Sequence, residues 1–254
     1  MLVDAIHVAT GKAVYIKEVA TDSEELHIAQ LLTQEGWVSD PRNHCVPVAK
    51  VFQDHENPNL SYIVMPLLRP VDTPPFETVR EIIKFTDQIL EVIMDSFATL
   101  LLTQTSPGLG IPPRKGSGTP VWLSVLHTHT HPLPAHRDCV QRNLMMDADA
   151  MYPDGFHPVS LDHTPDYSGF AKHTSRTAAK VKYYFIDFGI SVHVPEDLRP
   201  KLFTGFLGRD RDPPELSRTV PYDPFKLDIF IIGNMLKREF QEVSSFSGPD
   251  LTSN

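Results

Sequence analysis

Hydrophobic residues in the first 68 positions occur in short runs that are typical of strands. A turn is expected at Thr10-Gly11-Lys12, between the first two runs. A helix is expected from Ser23 to Gly36, because apolar residues recur on one side of it. The predicted strands cover residues 5–8, 13–19, 46–52 and 60–68. This part of the chain is therefore expected to be mainly strand, with one helix.

The remaining sequence shows longer helical periods. Apolar residues recur every three or four positions from Pro74 to about Thr103, which predicts a long helix. A strand is expected at Val181 to Ile186. Asp223-Pro224 then predicts a helix start, because Asp caps free backbone N–H groups and Pro is tolerated in the first turn. That helix is expected to run to about Phe240 and, being apolar nearly all round, to be buried.

Two stretches lack such a pattern. Residues 105–135 are rich in proline and glycine and are expected to form a loop or linker that is unusually long for a compact domain. Either a true loop or a mis-spliced stretch would account for them. The tail 244–254 is expected to be disordered.

Composition narrows the classes of function. Among 254 residues the hydrophobic fraction is 41%, which is enough for a packed core. The formal net charge of −9, without a long basic run, argues against a nucleic-acid groove. No stretch approaches the ~20 apolar residues of a membrane helix. With two distant cysteines and no apolar leader, an intracellular protein of the cytoplasm or nucleus is expected, without nucleic-acid or membrane partners.

Two short strings suggest phosphoryl-transfer chemistry. His136-Arg137-Asp138 is followed after four residues by Asn143, and Asp187-Phe188-Gly189 follows the predicted strand at 181–186. Phosphoryl transfer needs a group that orients the attacking hydroxyl and metal ions that bridge phosphate oxygens. Asp138 is placed for the first task, and Asn143 and Asp187 offer hard oxygen ligands for Mg²⁺.

The two strings, in this order, resemble the catalytic loop and metal-binding turn of eukaryotic protein kinases. Val14-Tyr15-Ile16-Lys17 resembles the strand whose lysine contacts the ATP phosphates, and Glu25 resembles its ion-pair partner. Residues 63–68 resemble the approach to the interlobe hinge, which implies that Met65 and Leu67 contact the nucleotide. The phrases GFHP, KYYFIDFGIS and YDPFKLDIF are similar to those of a group of fungal protein-kinase-domain proteins.

The resemblance implies an α+β, two-lobed fold that is incomplete at both ends. A small, mostly-β N-lobe without the glycine-rich loop is expected at 1–68, and a larger, mostly-α C-lobe at 69–243, with insertions at 105–135 and 144–180. It also implies an ATP- and Mg²⁺-dependent kinase acting on a protein hydroxyl, with Asp138, Lys17, Asn143 and Asp187 as catalytic residues. The particular protein substrate and the oligomeric state stay open.

Three alternatives also stay open. Serine or threonine is the expected acceptor, although Arg142 matches a position where tyrosine kinases often carry Arg. A catalytically inactive pseudokinase or truncated interaction module would retain the same motifs without turnover. The alternating His127, His129 and His131 could instead belong to a zinc-binding tract.

Overall fold

The computed structural model describes residues 1–104, 134–194 and 202–240, but for residues 92–104 it describes the backbone alone. These residues form a mixed α+β structure in which all strand ladders are antiparallel. The predicted loop, except for Pro134 and Ala135, lies outside the described residues. So do the alternating histidines and the tail.

The first region is a four-stranded sheet with a short helix against it. Its strands are β1 (Leu2–Ile6), β2 (Ala13–Ala20), β3 (Lys50–Gln53) and β4 (Leu60–Pro66), in the order β1-β2-β4-β3. The register places Lys17 of the inner strand β2 between Leu2 and Ile63. Lys17 is therefore held by ladders on both sides of its strand.

Helix α1 (Glu24–Leu32) begins where Ser23 accepts a hydrogen bond from the Leu26 N–H at 3.3 Å. Its apolar side packs in a core cluster with Val19, Ile63 and Phe188. The helix ends at Leu32, before Gly36, the expected end. A separate turn of helix, α2 (Glu35–Val38), follows it.

The second region contains the larger core. Its elements are β5 (Arg69–Pro70), α3 (Val79–Gln104), β6 (Leu144–Asp147), α4 (Arg176–Ala179), β7 (Lys182–Phe185), β8 (Phe203–Gly205), β9 (Ser217–Tyr222) and α5 (Pro224–Phe240). Strands β5, β6 and β7 form one sheet, and β8 pairs with β9. The sequence pattern did not predict β8 and β9, which are short and largely exposed. In the core, Phe85 and Ile89 of α3 lie with Leu227 and Ile231 of α5.

One expectation about this region needs correction. Helix α5 is not buried all round, since Phe230 is 36% exposed, although Leu227 and Ile231 are buried.

The long connection between β6 and β7 contributes to the core. Tyr152 and Phe156 are buried, and the Arg69 guanidinium lies over both rings, 4.4 and 4.8 Å from their centroids. The connection is therefore part of the core.

The two regions meet at residues 43–46. The His44 carbonyl accepts from the Phe185 N–H at 2.7 Å, and the Phe185 carbonyl accepts from the Val46 N–H at 2.9 Å. These bonds continue the edge of β7 into the chain that leads to β3. No helix among the described residues has the length and apolarity needed to cross a membrane.

Candidate active site

The Lys17 amine is the centre of a three-residue charge cluster. It lies 2.5 Å from Glu25 Oε1 and 2.8 Å from Asp187 Oδ1. Burial works against charging this amine, but the hydrogen bonds that it donates to Asp187 and Glu25 raise the pKa of Lys17 above its ordinary value. Burial also opposes ionisation of Asp187, yet the Lys17 bond lowers the pKa of that carboxyl. The pair is therefore charged at neutral pH.

Asp138 and Asn143 form a second cluster. The Asn143 amide nitrogen donates to the Asp138 carbonyl and to its Oδ2, both at 2.9 Å. These two hydrogen bonds to one residue fix which end of the Asn143 amide faces Asp138. The Asn143 oxygen is thereby left as the end available to a cation.

The two clusters are joined by backbone and by a shared cavity. The Asn143 carbonyl accepts from the Ile186 N–H at 2.9 Å, directly before Asp187. A cavity of about 530 Å³ is lined by Lys17, Glu25, Asn143 and Asp187. Its volume falls within the ~300–1,000 Å³ range of small-molecule sites.

The rest of the cavity wall is largely apolar. Met65 lines it, as the resemblance implied, and Tyr15 lies beside it with its hydroxyl donating to the Pro158 carbonyl at 3.3 Å. Leu67 does not line this cavity. It is packed in the larger core, and its N–H donates to the Ala13 carbonyl at 3.1 Å. Of the seven predicted site residues, five line this cavity, Asp138 adjoins it through its hydrogen bonds with Asn143, and Leu67 lies in the larger core.

Asp228 of α5 holds the backbone that presents Asp138. Its two carboxylate oxygens accept from the His136 N–H at 2.7 Å and the Arg137 N–H at 2.6 Å. Burial raises the pKa of Asp228 to about 7, against the lowering effect of these two bonds. Sequence reasoning did not predict this role, because nothing in the spacing of Asp228 indicates a contact with residues 92 and 91 positions earlier.

The His136 ring supports the same loop. Its Nδ1 lies 3.3 Å from the Asp138 N–H, and its Nε2 lies 2.8 Å from the Ile186 carbonyl. A neutral ring protonated on Nε2 satisfies both partners. Burial agrees with this state, because it lowers the pKa of His136. His136 therefore couples the Asp138 loop to the strand end before Asp187.

Two site residues adopt a left-handed backbone. Arg137 has φ 65° and Asp187 has φ 67°, a region that costs non-glycine residues of order 1–3 kcal/mol. The Arg137 guanidinium donates to the Ile190 and Thr204 carbonyls at 3.2 Å and to the Tyr222 hydroxyl at 3.0 Å. Such buried bonds hold a backbone that local preference alone would not select.

Comparisons with known proteins do not extend this picture. No protein-family model matches the chain, and the search of curated proteins finds no match either.

Proposed function

We propose that the chain is a two-lobed protein kinase that transfers the γ-phosphate of ATP to a serine or threonine hydroxyl. One observation supports this most strongly. Lys17, Glu25 and Asp187 converge on the same cavity as Asn143, which is bonded to Asp138. The two core clusters would then be the cores of the two lobes.

The donor set fits Mg-ATP. The Asp187 carboxylate and the Asn143 amide oxygen are hard oxygen ligands, and Mg²⁺ typically takes one or two protein carboxylates and completes its shell with phosphates and water. The described residues contain no group of three or more His, Cys, Asp or Glu side chains that could hold a metal ion. Bound Mg²⁺ would neutralise the phosphate oxygens during transfer.

Each site residue has a distinct task in this proposal. Lys17 donates to phosphate oxygens, and Glu25 keeps its amine directed into the cavity. Asp138 orients the acceptor hydroxyl and takes its proton. Asp138 Oδ2 and Oδ1 each accept one hydrogen bond, from Asn143 and from the Arg209 N–H, so lone pairs stay available on a carboxylate with about four acceptor positions.

A second candidate is a pseudokinase that binds a partner without turnover. It is favoured by the 2.8 Å bond between Lys17 and Asp187, which engages the metal-binding carboxylate, and by the Tyr15 ring in the cavity wall. In the kinase, Asp138 takes part in phosphoryl transfer, whereas the pseudokinase transfers no phosphate.

Radiolabel transfer from ATP and nucleotide titration on the same proteins separate the candidates. Asp138→Asn should lower transfer by about 10²–10⁴-fold with little change in ATP affinity, since it removes a proton acceptor. Lys17→Met should lower both transfer and affinity, because Lys17 contacts phosphates. Absence of transfer by the wild-type protein, with nucleotide or partner binding retained, would favour the pseudokinase.

A further inference from the structure

A loop after β8 reaches the Asp138 carboxylate. The Arg209 N–H donates to Asp138 Oδ1 at 2.7 Å, and the Arg209 Nε lies 3.7 Å from Oδ2. The Arg209 side chain is 56% exposed, whereas that of Asp138 is 11% exposed. The exposed Arg209 guanidinium therefore lies beside an Asp138 carboxylate that is mostly buried.

Gly208 makes this approach possible. A Cβ at residue 208 would lie 2.6 Å from the Arg137 carbonyl oxygen. This oxygen belongs to the backbone, so no side-chain rotation could relieve the clash. Any larger residue would push the loop, and with it Arg209, away from Asp138. The contact is thus fixed by the shape of the chain and does not depend on the flexible arginine alone.

The acids of the loop face helix α5. Asp210 is buried and accepts from Asn234 at 3.0 Å and from Arg238 at 3.3 Å, and Asp212 accepts from Arg238 at 2.6 Å. Both acids share one cation, Arg238 on α5.

Arg211, the other arginine of the loop, lies over the Phe206 ring and donates to the Phe206 carbonyl. Arg209 is therefore the loop cation that reaches Asp138.

The Arg209 side chain reaches Asp138 from outside the nucleotide cavity. Arg209 is not part of the cavity wall, and its Nε lies 3.7 Å from Asp138 Oδ2, the oxygen that also accepts from Asn143. Because the Arg209 side chain is exposed, a group that approaches Asp138 from solvent can pair with it without entering that cavity.

We infer that Arg209 selects acceptor segments that carry a carboxylate next to the hydroxyl. This inference rests on the proposed kinase function. The guanidinium would pair with the acidic side chain and so hold the hydroxyl near Asp138. Since Arg209 is exposed, the expected preference is modest, about 5-fold between an acidic and a neutral acceptor.

Transfer to two serine peptides, one flanked by Glu and one by Gln, tests this. The wild-type protein should favour the Glu peptide about 5-fold in kcat/KM. Arg209→Gln should lose the preference, and Arg209→Lys should keep most of it. Arg80→Gln, an equal loss of charge at an exposed position of α3, should change nothing. The backbone N–H bond to Asp138 survives both substitutions of Arg209, so folding should be preserved.

The outcomes separate the two claims. Transfer with equal kcat/KM for both peptides, or a preference that Arg209→Gln retains, would overturn the role of Arg209 and leave the kinase proposal standing. Absence of transfer to any peptide would count against the kinase proposal. In that case, fluorescence anisotropy of the labelled Glu peptide still tests recognition. Weaker binding to Arg209→Gln than to Arg80→Gln supports it, and equal binding overturns it.

Discussion

The two sides of the candidate site are built in different ways. Lys17 and Glu25 stand on a paired strand and a capped helix, whose regular hydrogen bonds position them. Asp138 and Asp187 stand on irregular backbone, next to or at a left-handed residue, and depend on buried side chains that bond to main-chain groups. Regular strand pairing and helix capping position the first pair, whereas hydrogen bonds between side chains and distant main-chain groups position the second.

The comparison predicts that the Asp138 side is far more sensitive to single polar substitutions. Asp228→Asn should lower the free energy of unfolding by about 3 kcal/mol, because the amide NH2 sets a donor against one of the two buried N–H groups, whereas both carboxyl oxygens can accept in either protonation state. Asp223→Asn is the matched control on the same helix. There the side chain accepts from the Phe225 N–H, and Asn caps as well as Asp. Urea unfolding of both variants measures the difference, and equal values would contradict the account.

The next largest expected effect is on pH dependence. Asp228 has a pKa of about 7 in the folded chain, raised by burial above its ordinary 3.8, so the folded state binds more protons than the unfolded state between these values. Its contribution to stability is full below pH 4 and is lost as the pH rises through 7, by about 2 kcal/mol between pH 5 and pH 7. Unfolding at several pH values should show this slope in wild type and not in Asp228→Asn. An equal slope in both would contradict the prediction.

The smallest effect is expected on the strand-and-helix side. Glu25→Gln should change the free energy of unfolding by less than about 1 kcal/mol, because the Lys17 amine keeps its Asp187 bond and both side chains are within reach of solvent. The same urea experiment measures it. A loss as large as that of Asp228→Asn would show that the two sides do not differ.

This contrast also explains what the sequence could reveal. Strands β2 and β4 and the helix from Pro224 to Phe240 follow local periodicity, so they were predicted with small errors at their ends. The first strand was expected at 5–8 but lies at Leu2–Ile6, and the helix carrying Glu25 ends at Leu32 instead of Gly36. The hydrogen bonds of Arg209 with Asp138 and of the 136–137 backbone with Asp228 join residues 71, 92 and 91 positions apart, and no periodic pattern carries such information. Strands β8 and β9 were missed because most of their residues are exposed or half-buried and form no apolar run.

Leu67 shows the same limit on a smaller scale. Its place in the hinge-like segment suggested a nucleotide contact, and strict alternation would put it on the same face as Met65, two residues earlier. Strand β4 ends at Pro66, however, and the Leu67 side chain packs in the larger core while Met65 lines the cavity. A one-face difference of this kind depends on the twist and ending of a strand, which residue types alone do not fix.

Calorimetric titration of ATP with and without Mg²⁺ tests the central claim most directly, namely that Asp187 and Asn143 make the cavity a metal–nucleotide site. Wild-type protein should bind ATP about 10-fold more tightly with Mg²⁺, and Asp187→Asn should lose that gain because it removes the anionic ligand. Asp149→Asn, at an exposed acid paired with Lys12, should keep it. Equal ATP affinity with and without Mg²⁺ in the wild-type protein, or an undiminished gain in Asp187→Asn, would contradict the account.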